Sequence, residues 1–332
     1  MTRTEYVSIG FLSIFICASC NGQKPFGEDL LIKMASISMP NVKGRIDHMD
    51  VNLKERTVYI AALGNNSLEV IDIGNAKKLR SITGLEEPQG VTYIPQQQEI
   101  FVANGGNGDC YFYNARNFEK TATVHLSSDA DDVRYDSSQN KIYVGYGEGG
   151  IAIIDAIRHS QIGNIKLSAH PEGFQLDKKL NKIFINVPDA HQVVVADLNS
   201  YQIITTWNTA SLRANFPLAI DTVDHVIFIG YRHPSKIVAM DENSGSVLGE
   251  ASLVSDVDDV YFEEEEKKIY ASGGGGSIFI YQWQKPEIKQ IAKISTSDGA
   301  RTSLLIPGLK LFILAARSNS NNNAELQVYK TK

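Results

Sequence analysis

The sequence predicts an all-β fold, a seven-bladed propeller of four-stranded antiparallel blades. Three observations predict it. A β-branched/aromatic triplet recurs seven times, as VYI (58–60), IFV (100–102), IYV (142–144), IFI (183–185), IFI (227–229), IYA (269–271) and LFI (311–313). Its central aromatics fall at 59, 101, 143, 184, 228, 270 and 312, in steps of 42, 42, 41, 44, 42 and 42. That is the ~40–45-residue period of propeller blades. The chain between them has no helical period, only short apolar runs broken by polar turns.

Each unit then reads strand by strand. An apolar strand and a polar turn such as YDSSQNK (135–141) or LDKKLNK (176–182) precede the triplet. A Gly/Asn-rich turn and a third strand follow it, as in SLEVIDI (67–73) and QVVVADL (192–198). A fourth, outer strand such as TATVHL (121–126) ends the unit. The last copy runs out of chain after its third strand, ELQVYK (325–330). LLIKMASIS (30–38) has the outer-strand character of LRSITG and TATVHL and precedes the first complete unit. It is therefore expected to complete blade seven and abolish an open sheet edge.

Composition bounds the function. The 332 residues are 43% hydrophobic and 21% charged, which suits a globular protein with a large core. A net charge of −6 and scattered Lys and Arg argue against a nucleic-acid partner or an anionic membrane surface. The glutamate run EEEEK (263–267) sits where a solvated hairpin tip is expected.

The first residues read as a targeting segment, 1–19, followed by a linker, 20–28, and the propeller, 29–332. Arg3 opens it, VSIGFLSIFICAS (7–19) is apolar but too short for a stable span, and CASC (17–20) closes it. CASC resembles the lipobox of bacterial lipoproteins, which implies cleavage before Cys20 and lipid on its thiol. The expected location is the cell envelope, in the periplasm or at the outer membrane or surface, held to the membrane through the lipid anchor only. An ordinary secretory signal is the alternative. Cys110 would remain as the free thiol, with no internal disulfide.

Blade geometry selects the candidate site. Loops entering the first strand, and loops between the second and third strands, emerge on one face. Eleven positions before each triplet aromatic stand His48, Gly90, Asp132, Gly173, Pro217, Asp259 and Arg301. Strand side chains alternate, so the apolar residues ten and eight before pack between blades, as Met49 and Val51 or Val133 and Tyr135. The residues eleven and nine before, the latter including Asp50, Arg134 and Tyr261, face the central channel. The predicted mouth holds Arg45, Asp47, His48, Asp131, Asp132, His170, Glu172, Asn215, Asp258, Asp259 and Arg301. The inter-strand loops add Arg232 and His233, with Asn104, Tyr146, Asn186 and Arg317. Each also has a structural reading: Asp259 with Arg301, and Asp132 with Arg134, are candidate ion pairs, and aspartates at strand entrances accept turn amides.

No established metal or catalytic motif fits. SDADDVRY (128–135) and SDVDDVYF (255–262) are one template built twice, but neither is an EF-hand loop. Counted from Asp129, the sixth position is Arg134 and the twelfth Asn140, where glycine and glutamate are needed. There is no HxxxH or CxxC spacing for zinc, so no metal ligands are assigned. GGGG (273–276) precedes no helix that would make it a phosphate cradle. His48 beside an aspartate suits a general base, yet no Ser or Cys nucleophile pairs with it.

IFVANG (100–105) and IYVGYG (142–147), each leading into a strand such as IAIIDA (151–156), resemble the YVTN-type, YncE-like β-propeller repeat across residues 29–332. GRIDHMDV (44–51), HPEGFQLD (170–177) and GARTSLLIP (299–307) are similar to a secreted lipoprotein branch of it. The resemblance implies export and binding rather than a proven reaction. Three functions remain open: binding of a small polar ligand or a partner protein on the axial face, a lactonase-like hydrolase using His48 and axial carboxylates, and a redox accessory protein. No cofactor is assigned, and a monomer is expected.

Overall fold

The seven triplet aromatics set the architecture. Tyr59, Phe101, Tyr143, Phe184, Phe228, Tyr270 and Phe312 are all buried, each on the second strand of its blade. In the computed structural model, which describes Met1 and residues 27–332 apart from Ala210, the strands form seven four-stranded antiparallel sheets. The expected leader and Cys20 lie outside the described residues. Helical structure among the described residues is confined to four single 3₁₀ turns, at Glu28–Leu30, Leu63–Asn65, Pro188–Ala190 and Pro307–Leu309.

Blade one is Met49–Asn52, Thr57–Ala62, Ser67–Asp72 and Lys77–Thr83, from axis to rim. The same order repeats through blade six, which starts at Val257–Glu263 and ends at Glu287–Ser295. Blade seven takes Ser303–Ile306, Leu311–Ala316 and Ala324–Thr331 from the C-terminal end and Leu31–Met39 from the N-terminal end. The closing pair runs from Leu31 opposite Thr331 to Met39 opposite Ala324. Closure thus occurs where the sequence pattern puts it, one residue later in the chain.

Second strands are buried along their centres, Thr57–Ala62 and Glu99–Asn104 at every position. Outer strands alternate or are largely exposed, as Lys77–Thr83 is. Each outer strand also carries a register shift against its neighbour, for example at Val70/Ile71, Phe112/Tyr113 and Ile153/Ile154. Such bulges add twist and blunt the exposed edge against pairing with another chain. The core lies between blades: Met49 and Val51 of blade one join Ile313 and Leu326 of blade seven, and Val133 and Tyr135 of blade three join Phe101 and Phe112 of blade two. Turns at the far ends of the first strands close on aspartate. Asp136 Oδ1 accepts the Ser138 amide at 2.9 Å, and Asp177 Oδ1 accepts the amides of Lys179 and Leu180 at 2.8 and 3.1 Å.

Ring closure yields a prediction. Ile37 and Met39 are buried against Val58, Ile60 and Leu326, so deleting residues 29–38 strips the cover from both blade seven and blade one. The truncated protein should aggregate on size-exclusion chromatography and lose cooperative melting; a sharp melt at the full-length temperature would contradict the closing role. The milder Ile37→Ala should cost about 2–5 kcal/mol.

Candidate functional site on the propeller axis

First strands begin at the axis, so the residue entering each strand is carried to one mouth. The mouth opens into a cavity of about 1330 Å³ lined by Arg45, Asp47, His48, Gln89, Asp129, Asp131, Asp132, Arg134, His170, Glu172, Phe216, Arg232, Asp258, Asp259, Tyr261 and Arg301, among others. Two glycines allow the blades to approach this closely. A Cβ on Gly90 would meet the Asp131 carbonyl oxygen at 2.0 Å, and one on Gly173 would meet the Phe216 carbonyl oxygen at 2.6 Å. Glycine at these positions lets the neighbouring blade's loop press inward, carrying Asp131 in one case and Phe216 in the other to the cavity wall.

His48 is the centre of the cluster. Its Nε2 lies 3.8 Å from Asp47 Oδ1, 3.9 Å from Asp131 Oδ1 and 3.9 Å from Asp132 Oδ1. Blade one therefore reaches blade three across the mouth, and the ring is not too wide for groups on different blades to share one charge. Burial works against a charged imidazole here. The surrounding carboxylates, Asp132 and Asp47 first, outweigh it and raise the His48 pKa to about 9. At neutral pH His48 is a cation and a proton donor, which does not fit the general-base role suggested by its sequence neighbours.

Around it the charges alternate. Arg45 Nη2 pairs with Asp47 Oδ2 at 2.7 Å. Arg134 Nη1 donates to Asp132 Oδ1. Arg232 and Arg301 share two carboxylates: Arg232 Nη2 meets Asp258 Oδ1 at 2.8 Å, Arg301 Nη1 meets Asp256 Oδ1 at 2.9 Å, and Arg301 Nε lies 3.3 Å from Asp258 Oδ2. Arg232 also stacks 3.8 Å from the centre of the Phe216 ring. His170 Nδ1 donates to the Gly147 carbonyl at 2.7 Å, which turns Nε2 toward Asp131 Oδ2 at 3.8 Å. Burial lowers the His170 pKa, but Asp131, the Gly147 carbonyl and Asp129 outweigh it and raise the value to about 9. The carboxyls divide in the other direction. Burial, then Asp131, pushes Glu172 up to about 8. Burial likewise raises Asp259 to about 7 and Asp47 to about 6. Asp131, despite burial, is held below the usual range by His170 and His48.

Several polar groups are engaged in the scaffold instead. Asp50 accepts the amides of Tyr93 and Val51 and the Thr92 hydroxyl, tying blade one to blade two. Asp259 accepts the Ser303 amide at 2.6 Å. Asn186 Nδ2 donates to the carbonyls of Phe216 and Pro217, and Asn104 Nδ2 to that of Asp109.

Of the seventeen residues expected at the mouth and its loops, eleven line the cavity, and Asn104, Tyr146, Asn186, Asn215, His233 and Arg317 do not. Asn215 is fully buried in the wall between blades four and five, where its Nδ2 donates to Asn186 Oδ1 and the Gln192 carbonyl. His233 is exposed at the end of Val226–His233, in register with Arg213 and outside the cavity lining. The expected Asp259–Arg301 pair does not form, because Arg301 turns to Asp256 and Asp258. Gln89, Asp129, Phe216 and Asp256 were missed. The signal existed in the repeat: Asp129 and Asp256 stand fourteen positions before their triplet aromatics, the register of Arg45 and His170. Gln89 and Phe216 stand twelve before, the register of Asp47, Asp131, Glu172 and Asp258.

These shifts fix a pH dependence. His48 and His170 bind protons more tightly in the folded chain, so their stabilisation is complete below 6.5 and is lost as pH rises to about 9. Glu172, raised from 4.5 to about 8, has the same sign over its own window. Melting temperature should fall from pH 6 to pH 9, and Glu172→Gln should flatten the part of that slope below pH 8. A melt that rises with pH across this range would reverse the assignment.

No family model matches the chain, and no curated protein matches it. Solved structures match by shape. One is a chain in a crystal structure of a mitotic checkpoint complex, at TM-score 0.77 and 15% identity, covering 98% of this chain and 99% of that one. Another is a chain of hydrazine synthase from Kuenenia stuttgartiensis, at TM-score 0.75 and 13% identity, covering 87% of this chain and 97% of that one. At such identities the likeness establishes the seven-bladed fold and carries no activity with it.

Proposed function

We propose that the axial cavity binds a small polar solute rich in hydrogen-bond donors, such as an amine or an amino sugar, without transforming it. One observation carries this reading: the unsatisfied groups at the mouth are mostly acceptors. Asp131 Oδ1 and Asp132 Oδ2 are buried with no hydrogen-bond partner. Glu172 takes part in no ion pair among the described residues and faces the same cavity. Arg45 Nε is the unsatisfied donor beside them. Buried acceptors without donors are costly, and a ligand supplying N–H and O–H groups removes that cost. The cavity is larger than the ~300–1,000 Å³ of ordinary ligand sites, leaving room for bridging water.

Binding should therefore weaken by about thirtyfold or more in Asp131→Asn or Asp132→Asn, the loss of roughly 2 kcal/mol or more for one charged partner. It should tighten as pH rises through 8, when Glu172 ionises. Calorimetry with a panel of amines and amino sugars reads both effects; binding of the panel unaltered in either variant would end this reading. A hydrolase is the second reading, favoured by Glu172 held protonated and Asp131 held ionised across one cavity, an acid and a base set apart by their surroundings. Turnover of a lactone or glycoside, abolished in Glu172→Gln, would select it.

The chain also fits an exported, lipid-anchored member of the YVTN-type, YncE-like branch. CASC (17–20) and the repeats IFVANG and IYVGYG support this. Cys20→Ser should shift the protein from the membrane fraction to a soluble or unprocessed form. Persistent radioactive palmitate labelling in the variant would rule the anchor out.

A further inference from the structure

The repeat provides its own control at one position on the opposite face. In blades one to five the residue after the third strand donates its amide to the residue just before the second strand: Ile73 to Arg56, Ala115 to Gln98, Ala156 to Asn140, Leu198 to Asn181 and Glu242 to His225. In blades one to four that residue is apolar. In blade five it is Glu242, 1% exposed, with a histidine opposite it. A buried carboxyl in a slot built for an apolar side chain demands a partner.

Its surroundings offer one imidazole, His225, 3.3 Å from Glu242, and a second carboxyl. Asp177, fully buried at the end of blade four's first strand, faces Glu242 from the neighbouring blade. Donor atoms of Asp177, His225 and Glu242 all lie within 4.8 Å of one another. Asp177 Oδ2 and Glu242 Oε1 are buried with no hydrogen-bond partner. Asp136, at the same register in blade three, has Lys178 at 3.3 Å. Asp177 has no lysine within ion-pair distance among the described residues; the nearby Lys179 and Lys182 reach Thr222 Oγ1 and Asn243 Oδ1 instead.

The geometry points to a divalent transition-metal site, of the zinc or manganese class, formed by Asp177, His225 and Glu242 at the junction of blades four and five. One imidazole nitrogen with two carboxylates suits such ions better than calcium or magnesium, which take oxygen ligands. Donor atoms around a tetrahedral ion with ~2.0–2.1 Å bonds sit about 3.3 Å apart. His225 Nδ1 and Glu242 Oε2 already stand 3.3 Å apart. His225 is about half exposed, its side chain at 45%, so an ion can enter from solvent and keep a water ligand. The cation would balance two carboxylates that share a single imidazole.

The test uses the full mature protein stripped with chelator, then titrated with Zn²⁺ or Mn²⁺ while melting and stoichiometry are measured. One ion per chain should bind, and melting should rise by about 5 °C at a hundredfold excess over the dissociation constant. Glu242→Leu, which copies Leu198 of blade four, should fold and lose the response. His225→Asn, which tolerates the positive φ of 55° at that position, should lower affinity at least tenfold. If wild type binds no ion, the carboxyls share a proton and the proposal fails. It fails equally if the response survives in Glu242→Leu but disappears in Asp131→Asn, because the ion then belongs to the axial cavity; absence of any ion leaves the solute reading of that cavity untouched.

Discussion

The pairing of Leu31–Met39 with Ala324–Thr331 is the interaction on which the rest depends. Six blades are continuous in sequence, and each could form its sheet locally. The seventh exists only when the two ends of the chain meet. Until they do, blade one has no neighbour on one side, and the cluster of Met49, Ile60, Ile313 and Leu326 cannot assemble. The axial cavity depends on the same event. Its walls come from all parts of the chain, and only a closed ring holds His48 of blade one within 4 Å of Asp131 and Asp132 of blade three.

Closure then imposes an electrostatic constraint. First strands converge at the axis, so any charge at their entrance is brought close to charges from several other blades and away from bulk water. In that setting like charges cannot all stay ionised, and opposite charges interact more strongly than in water. The molecule responds in two ways. On blades five to seven, Arg232, Arg301, Asp256 and Asp258 neutralise one another in a closed set. On blades one to four, His48 and His170 are held protonated while Glu172 holds its proton well above the usual carboxyl range. The first set is paired within itself. The second retains unsatisfied oxygens and groups that titrate near neutrality, which is where binding or proton transfer has something to act on.

A repeat protein makes departures from its own template informative. Aspartate at the end of a first strand is ordinary turn chemistry, since Asp136, Asp177 and Asp221 all accept amides two or three residues on. Glu242 is not ordinary, because the equivalent residues Ile73, Ala115, Ala156 and Leu198 are apolar. Gly90 and Gly173 are departures of another kind, needed where a neighbouring blade's backbone presses close. Likeness in overall shape to distant propellers reveals none of this, because the shared feature is the backbone, whereas these features belong to side chains.

What the sequence determined by itself was the periodic part. Steps of about 42 residues between Tyr59, Phe101, Tyr143 and their successors set the number of blades, and the strand missing after residue 330 located closure. Strand alternation also selected His48, Asp132, Asp259 and Arg301 at the mouth, because side-chain direction is a local property with period two; Arg45, Asp47, Asp131, His170, Glu172, Asp258 and Arg232 followed from their loops' position on the same face. Two residue fates were not legible. Asn215 and His233 lie on paired strands whose register shifts between Asn215 and Leu218, and that bulge redirects the chain in a way no alternation rule contains. Partner choice was equally hidden. Whether Arg301 reaches Asp259 or Asp256, and whether His48 acts as a base or is held as a cation, depends on distances between blades that sequence neighbours do not set. Those distances exist only once the ring is closed and seven loops compete for one axis.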